Sequence, residues 1–487
     1  MKTISINPIT RLEGHGKIDV FIKDDGTVDR AYLRIPELRG FEKFCEGRPV
    51  EEMPRITPRI CGVCPTAHHM ASAKAVDDLF GVEPPPAAKK IRELIYSAFM
   101  VEDHLLHFFF LGGPDFIIGP DADPTQRNIL GVAAKVGLEI AGKLIDIRKQ
   151  CRRIITELSG KVIHPVSCVP GGVSKGVTPE MQKDFQAIGA QAVEFTQFAL
   201  QAFNDIVLKN EAYVSLITGD VYKHDTYYMG LLDANDKVNF YDGDIGVAAP
   251  DGSPFARFKA RDYASHIAEH VEPWTYVKFP YLKKVGWNGF TDGPDSGIYA
   301  VAPLARLNAS KGMATPLAQQ AHDQMYETLG GKPSGLTLAF HWARLIEALY
   351  AAERLAELAA DPEITSSDIR NIPTSIKGEG WGVVEAPRGT LLHHYQSDEK
   401  GLITRANLIV ATQNNQGRIN LSVDKAAKAL IKNGEADQGV LNMLEMAFRA
   451  YDPCMACATH SLPGQMPLQV RLLNTIGEVI HTVDNLS

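Results

Sequence analysis

Four of the seven cysteines form two Cys-x-x-Cys pairs near opposite ends of the chain: Cys61-Gly62-Val63-Cys64 and Cys454-Met455-Ala456-Cys457. No other feature constrains the fold as much. Paired thiols at both ends act together only if folding returns the C-terminal portion of the chain to the N-terminal portion. Four convergent thiolates select a soft or borderline transition metal and can fill a tetrahedral shell around it. Taken singly, each pair also suits half of a structural zinc site, or a redox dithiol. Zinc sites, however, usually draw their halves from neighbouring stretches of sequence, and a thioredoxin-like pair needs a βαβ context that neither pair has.

The rest of the sequence narrows the class. A chain of 487 residues with 45% apolar and 22% charged residues is built like an ordinary globular protein with a large core. A net charge of −8 disfavours nucleic acid or an anionic membrane as partner. MKTISINPIT lacks an apolar secretory core, no run of 18 apolar residues occurs, and seven cysteines do not make a disulfide framework. These features predict a cytoplasmic protein with reduced thiols. Cys45, Cys151 and Cys168 have no paired spacing and read as free thiols rather than cluster ligands.

Hydrophobic periodicity predicts a β-hairpin within residues 3–35, around Asp24-Asp25-Gly26. Helical spacing covers 66–80, 87–111, 128–158, 179–208, 316–330, 337–361, 424–433 and 437–450. Residues 212–310, rich in Gly, Asp and Tyr, read as irregular β and loop. The expected architecture is mainly α with small β-sheets (α+β), in one domain over residues 1–487. Leu468 to Val483 alternates about Gly477 and predicts a further hairpin.

Near the first pair, His68 lies one helical turn beyond Cys64, where its ring can support a thiolate, although a buried core histidine fits the same spacing. Arg59, just before the pair, offers a positive charge to offset the thiolates. The second pair follows Asp452-Pro453, with His460 one turn after Cys457.

Five motifs in order then make a resemblance. They are Asn7-Pro8-Ile9-Thr10-Arg11-Leu12-Glu13-Gly14-His15, Arg39-Gly40-Phe41-Glu42, Arg59 to Cys64 with His68, Glu385-Ala386-Pro387-Arg388-Gly389, and Asp452 to His460. Together they span nearly the whole chain, which resembles the nickel–iron hydrogenase large subunits. Pro170-Gly171-Gly172, His393-His394-Tyr395 and Gln413-Asn414-Asn415 look most like the soluble, multi-subunit cytoplasmic class.

The resemblance implies a site, a reaction and partners. Cys61, Cys64, Cys454 and Cys457 would hold nickel, with Cys64 and Cys457 also bridging to an iron that carries carbon monoxide and cyanide. The reaction would be reversible heterolytic cleavage of dihydrogen. Cys454 is the expected proton acceptor, and Glu13 the group that passes the proton on. Arg388, oriented by Asp103 and Asp452, is a poor base because a guanidinium pKa exceeds ~12; it is expected to act by charge. Asp452 also suits a helix cap ahead of Pro453. Pro387, Ala411 and Thr412 match positions around the cyanide ligands, and proline is common in the family where this chain has Ala411. Glu42, the Leu408 carbonyl and His460 match a magnesium site. Val63 and Leu111 match positions narrowing a gas channel, where core packing is the plainer reading.

With no cysteines to spare for a cluster, the electrons require a partner: the hydrogenase small subunit with its iron–sulfur clusters, and beyond it a diaphorase or heterodisulfide-linked module. The family's maturation cut falls just after the histidine of the last motif, which makes Ser461 to Ser487 a removable extension.

Overall fold

The computed structural model describes residues 2–6, 9–459, 469–473 and 479–484. Four long helices form its centre: Pro65–Phe80, Pro86–Leu106, Pro179–Phe203 and Phe340–Ala360. The Phe340–Ala360 helix packs on both Pro86–Leu106 and Pro179–Phe203. Proline in the first turn starts three of the four, where its missing N–H costs nothing and its φ suits the helix. Pro86–Gly112 is long and apolar enough to cross a membrane, but it is 83% buried inside the fold and serves as a core helix.

Small sheets surround this core, as the α+β expectation required. The predicted N-terminal hairpin is present as Lys17–Ile22 against Val28–Arg34, and Lys2–Ile6 adds a third strand that pairs Ile4 with Val20. An antiparallel sheet of Glu379–Ala386, Gly389–Ser397 and Ile403–Ile409, not foreseen from periodicity, lies against the Pro65–Phe80 helix. Buried on both faces over much of their length, these strands lack the alternation that marks a half-exposed sheet. Close approach of helix and sheet depends on Gly380 and Gly382: a Cβ on either would come within 2.4 Å of Leu79 N or 2.0 Å of Ala71 O.

Three boundaries differ from the sequence reading. The helix expected over 128–158 is two helices, Ile129–Val136 and Leu138–Ser159, parted at Gly137 where φ is +92°. Residues 212–310 contain the predicted β structure and also the helices Glu211–Thr218 and Pro303–Ala309. The helix expected at 424–433 runs from Gln416 to Leu430, its polar start being buried rather than exposed. Near the C-terminus, Gln469–Leu473 pairs antiparallel with Val479–Asp484, the hairpin the alternation predicted.

Candidate metal centre

Chain ends that are remote in sequence meet at the two cysteine pairs. Cys61 ends a short helical turn and Cys64 caps the Pro65–Phe80 helix, so Val63 N–H and Cys64 N–H both point at the Cys61 sulfur at 3.2 Å. Cys454 caps the short helix Met455–Ala458. The four sulfurs lie within 4.8 Å of one another, all buried, with Cys61–Cys454 at 3.2 Å, Cys64–Cys457 at 3.3 Å and Cys454–Cys457 at 2.9 Å. Among the described residues this is the one group of His, Cys, Asp and Glu side chains spaced to hold a metal. Metal–sulfur bonds of ~2.3 Å place thiolates about this far apart, so the donor set fits a soft transition metal. Burial opposes ionisation of Cys61, but hydrogen bonds from the other three thiols and the charge of Arg388 bring its pKa well below the ordinary thiol value. Burial pushes Cys454 and Cys457 well above that value.

Glu13 reaches this cluster because its segment pairs with the second cysteine turn. Residues 13 and 454 form a parallel β-bridge, with Met455 N–H donating to Glu13 O at 3.0 Å. The carboxylate Oε2 then accepts from the Cys454 thiol at 2.9 Å and from Ala456 N–H at 3.1 Å. Burial, followed by the charge of Cys61, raises the Glu13 pKa. Glu13 is therefore no salt-bridge partner of Arg11, whose guanidinium pairs with Asp115 at 2.5 Å and Asn442 at 2.8 Å.

On another side stands Arg388, only 2% exposed, between Asp103 at 3.2 Å and Asp452 at 3.1 Å. Burial opposes its charge, but the two carboxylates hold the guanidinium protonated, well above its usual pKa. Burial in turn lifts Asp103 to about 7, against the pull of Arg388. Asp452 thus serves as an ion-pair partner, at a backbone φ of +56°. Arg59 is exposed and bonded to the Arg55 carbonyl, while Arg388 is the buried cation whose charge acts on Cys61.

The remaining expected residues are distributed as follows. Thr412 Oγ1 accepts from Cys454 N–H at 3.0 Å, which leaves its own hydrogen to donate elsewhere. Ala411 opens the same buried turn, and the Pro387 carbonyl accepts from Arg306 at 3.3 Å. His68 Nδ1 meets His393 Nε2 at 3.1 Å, and His393 continues to the Tyr395 hydroxyl at 2.6 Å. Glu42 accepts from Leu408 N–H at 2.7 Å. His460, the expected third member of that set, lies outside the described residues. Val63 is half-buried, and the Leu111 carbonyl accepts from Arg11 at 2.9 Å.

Two supports were given no role by the sequence reading, although Asn415 stood in its Gln413-Asn414-Asn415 stretch. Asn415 clamps the loop carrying Arg388, donating to the Arg388 carbonyl at 3.1 Å and accepting from Val301 N–H at 2.8 Å. Arg306 is fully buried between Glu347 and Glu385 and also donates to the Ala386 carbonyl at 2.8 Å. Arg306 had no sequence signal beyond a lone arginine in an otherwise apolar segment.

Comparison with known proteins agrees with this geometry. A family model described as nickel-dependent hydrogenase matches residues 39–128 and 142–460, and one described as HoxL-like matches residues 3–38. The chain is 48% identical over 487 residues to an F420-non-reducing hydrogenase iron-sulfur subunit of Archaeoglobus profundus, covering all of both chains. It is 39% identical over 494 residues to the NAD-reducing hydrogenase HoxS subunit beta of Cupriavidus necator, covering 98% of this chain and 99% of that one. A crystal structure of an NAD+-reducing NiFe hydrogenase in the H2-reduced state superposes with a TM-score of 0.88 at 37% identity, covering 94% of this chain and 100% of that chain. The four-cysteine site accordingly suits nickel and iron. The chain belongs to the nickel-dependent hydrogenase family and is the catalytic large subunit of a nickel–iron hydrogenase.

Proposed function

We propose that Cys454 takes the proton when dihydrogen is split heterolytically and that Glu13 carries it away. One observation carries this assignment: Glu13 Oε2 lies 2.9 Å from the Cys454 sulfur in a buried setting. Nickel and iron, when bound, supply the Lewis acidity that polarises dihydrogen. The protein supplies the base and the exit. The Cys454 sulfur is within hydrogen-bond reach of the Glu13 carboxylate, whose raised pKa favours accepting a proton from it. Arg388, kept protonated by Asp103 and Asp452, has no free pair with which to act as base and instead stabilises negative charge beside the thiolates.

In the same reading, Cys61, Cys64, Cys454 and Cys457 would together hold the nickel and an iron carrying carbon monoxide and cyanide. The Thr412 hydroxyl, with one hydrogen to donate, and the Pro387 and Ala411 surfaces would receive the cyanide ligands. Glu42, the Leu408 carbonyl and His460 would hold magnesium. Electrons pass to an iron–sulfur small subunit, because Cys45, Cys151 and Cys168 are separately buried and, among the described residues, assemble no cluster site. A diaphorase or heterodisulfide-linked module lies beyond it, in keeping with the NAD-reducing and F420-non-reducing names of the relatives. The protein works in the cytoplasm as one domain, and maturation removes Ser461 to Ser487. Intact mass of the active enzyme tests that cut: a full-length chain refutes it.

The proton assignment is tested with Glu13→Gln in the complete enzyme. The variant should retain nickel and iron yet lose exchange of dihydrogen with solvent deuterons by at least about a hundredfold, in the range of a lost acid–base group. Wild-type exchange would remove Glu13 from the route.

A further inference from the structure

The second cysteine turn follows directly on the end of the Gln438–Arg449 helix. The last carbonyls of any helix lack partners within it and must find them elsewhere. Here Arg449 O receives the His107 Nε2–H at 3.0 Å, and Ala450 O receives Arg344 Nη2 at 2.9 Å. Two core helices therefore close the end of a third. A cation at a helix C-terminus is favoured by the helix dipole as well as by the hydrogen bond.

What these two side chains leave unused is informative. Both are fully buried, His107 at 0% and Arg344 at 0% exposed. Among the described residues, Arg344 Nε and Nη1 and His107 Nδ1 have no hydrogen-bond partner. Burying a guanidinium is costly, yet its hydrogen bonding is spent on the carbonyl of Ala450. His107, donating through Nε2, is fixed in one tautomer by the carbonyl of Arg449. The local backbone is also shaped around the pair. His107 begins a π-helical turn, His107–Gly112, and stacks on His341 with ring centroids 5.5 Å apart. A Cβ at Gly112 would lie 2.4 Å from His341 and 2.9 Å from His107, so glycine is what leaves space for the stack.

From these contacts we infer that His107 and Arg344 are positioning residues for the metal centre, acting through the chain between Arg449 and Cys454. They hold two successive carbonyls of the turn in which Asp452 takes its positive φ, and Asp452 is the carboxylate that aligns Arg388. His107 Nε2 also lies 3.8 Å from Asp452. The clamp thereby sets Asp452 and, two residues on, the sulfur of Cys454. This adds two residues to the support of the site, neither touching metal or gas. It does not depend on which group takes the proton.

The test uses the complete enzyme carrying Arg344→Met, with Arg344→Lys as the conservative control, and His107→Phe, which keeps the ring stack but removes the donor. Backbone amide exchange over residues 451–457 should accelerate by about tenfold or more in Arg344→Met and His107→Phe, the effect of losing one charge-assisted or buried hydrogen bond. Exchange in the Pro65–Phe80 helix should stay as in the wild type, and Arg344→Lys should restore most of the protection. The turnover number should fall while the KM for dihydrogen holds. Unchanged exchange over 451–457 in both donor-removing variants would overturn the assignment, as would equal acceleration in Pro65–Phe80, which marks general loosening. If Arg344→Met does not accumulate as folded enzyme, the His107→Phe comparison decides by itself.

Discussion

Arg306 offers the sharpest test of how the fold supports the centre, and the effect of Arg306→Met can be worked from its contacts. The guanidinium is 0% exposed, with Nε 2.7 Å from Glu347 and Nη1 2.6 Å from Glu385. It also donates to the carbonyls of Ala386 and Pro387, the two residues before Arg388. Methionine fills much of the volume but leaves two carboxylates and two carbonyls facing each other. Breaking a buried ion pair from one side costs roughly 3–5 kcal/mol. The carboxylates can limit the damage by taking up protons, so about 5 kcal/mol is a fair total. Unfolding entropy of ~2.1 cal/mol/K per residue, applied to 487 residues, gives about 1 kcal/mol/K, hence a Tm lower by about 5 °C. Calorimetry at one scan rate on both metal-loaded proteins measures it. The pH trend has a definite sign. Burial already raises the Glu385 pKa, and without Arg306 both carboxylates hold protons more tightly than in the unfolded chain. Such groups destabilise the fold more as pH rises, so the deficit should be larger at pH 8 than at pH 5. A Tm within about 1 °C of wild type at pH 8 would refute the reasoning.

Three further outcomes follow from other parts of the molecule. Gly14→Ala places a Cβ 2.9 Å from Ala456 N at a φ of +82°, so Glu13 should be pulled off Cys454, with nickel content or exchange activity down at least about tenfold by metal analysis and isotope exchange. His69 donates from Nδ1 to Pro54 O at 2.6 Å and accepts from Cys168 N–H at 3.0 Å, and burial lowers its pKa to about 4. Its contribution is complete above pH 6.5 and lost as pH falls toward 4, amounting to about 2 kcal/mol at pH 5; His69→Gln should narrow the Tm gap between pH 7.5 and pH 5, and an unchanged gap would count against it. Burial pushes Cys168 to about 11 and Cys45 to about 12, so neither thiol should react with iodoacetamide at pH 8 until the protein unfolds, as peptide mass mapping can check.

The legible part of the sequence was its chemistry, and the hidden part was its scaffold. Cysteine spacing demanded that the ends converge, and Cys61, Cys64, Cys454 and Cys457 do converge within 4.8 Å. Glu13, Arg388 and Asp452 could be named because they sit in short motifs, and Asp103 because the resemblance supplied it as a partner of Arg388. Arg306, Arg344 and His107 sit in no such motif, and Asn415 sits in one that gave no hint of its role. Their partners come from remote segments, so their meaning exists only after packing. The Glu379–Ile409 sheet was missed for a related reason: burial on both faces erases the period of two by which strands are read. Arg59 drew notice by its nearness in sequence to Cys61, whereas the buried cation acting on that thiol, Arg388, is remote in sequence. The Arg59 side chain is exposed and bonds back to the Arg55 carbonyl.

How the second cysteine turn is held bears on the order in which the site assembles. Its backbone is satisfied by protein on every side: Cys454 N–H by Thr412, Met455 N–H and Ala456 N–H by Glu13, Ala456 O by Arg39 at 3.3 Å, and Thr459 O by Arg39 N–H at 3.0 Å. These partners come from residues 13, 39 and 412, so the turn can settle only after the N-terminal sheet and the Ala411 turn are in place. Protein groups hold the turn chiefly through its backbone. The sulfurs meet one another, Glu13 and nearby amides, which leaves lone pairs for metal. A site built this way separates shape from ligation, because the rest of the fold can form before metal arrives. The thiols of Cys454 and Cys457, which burial makes reluctant to ionise, then surrender their protons only to metal. Metal loading of the folded apo chain should therefore release protons, and a loading reaction without measurable proton release would contradict this order.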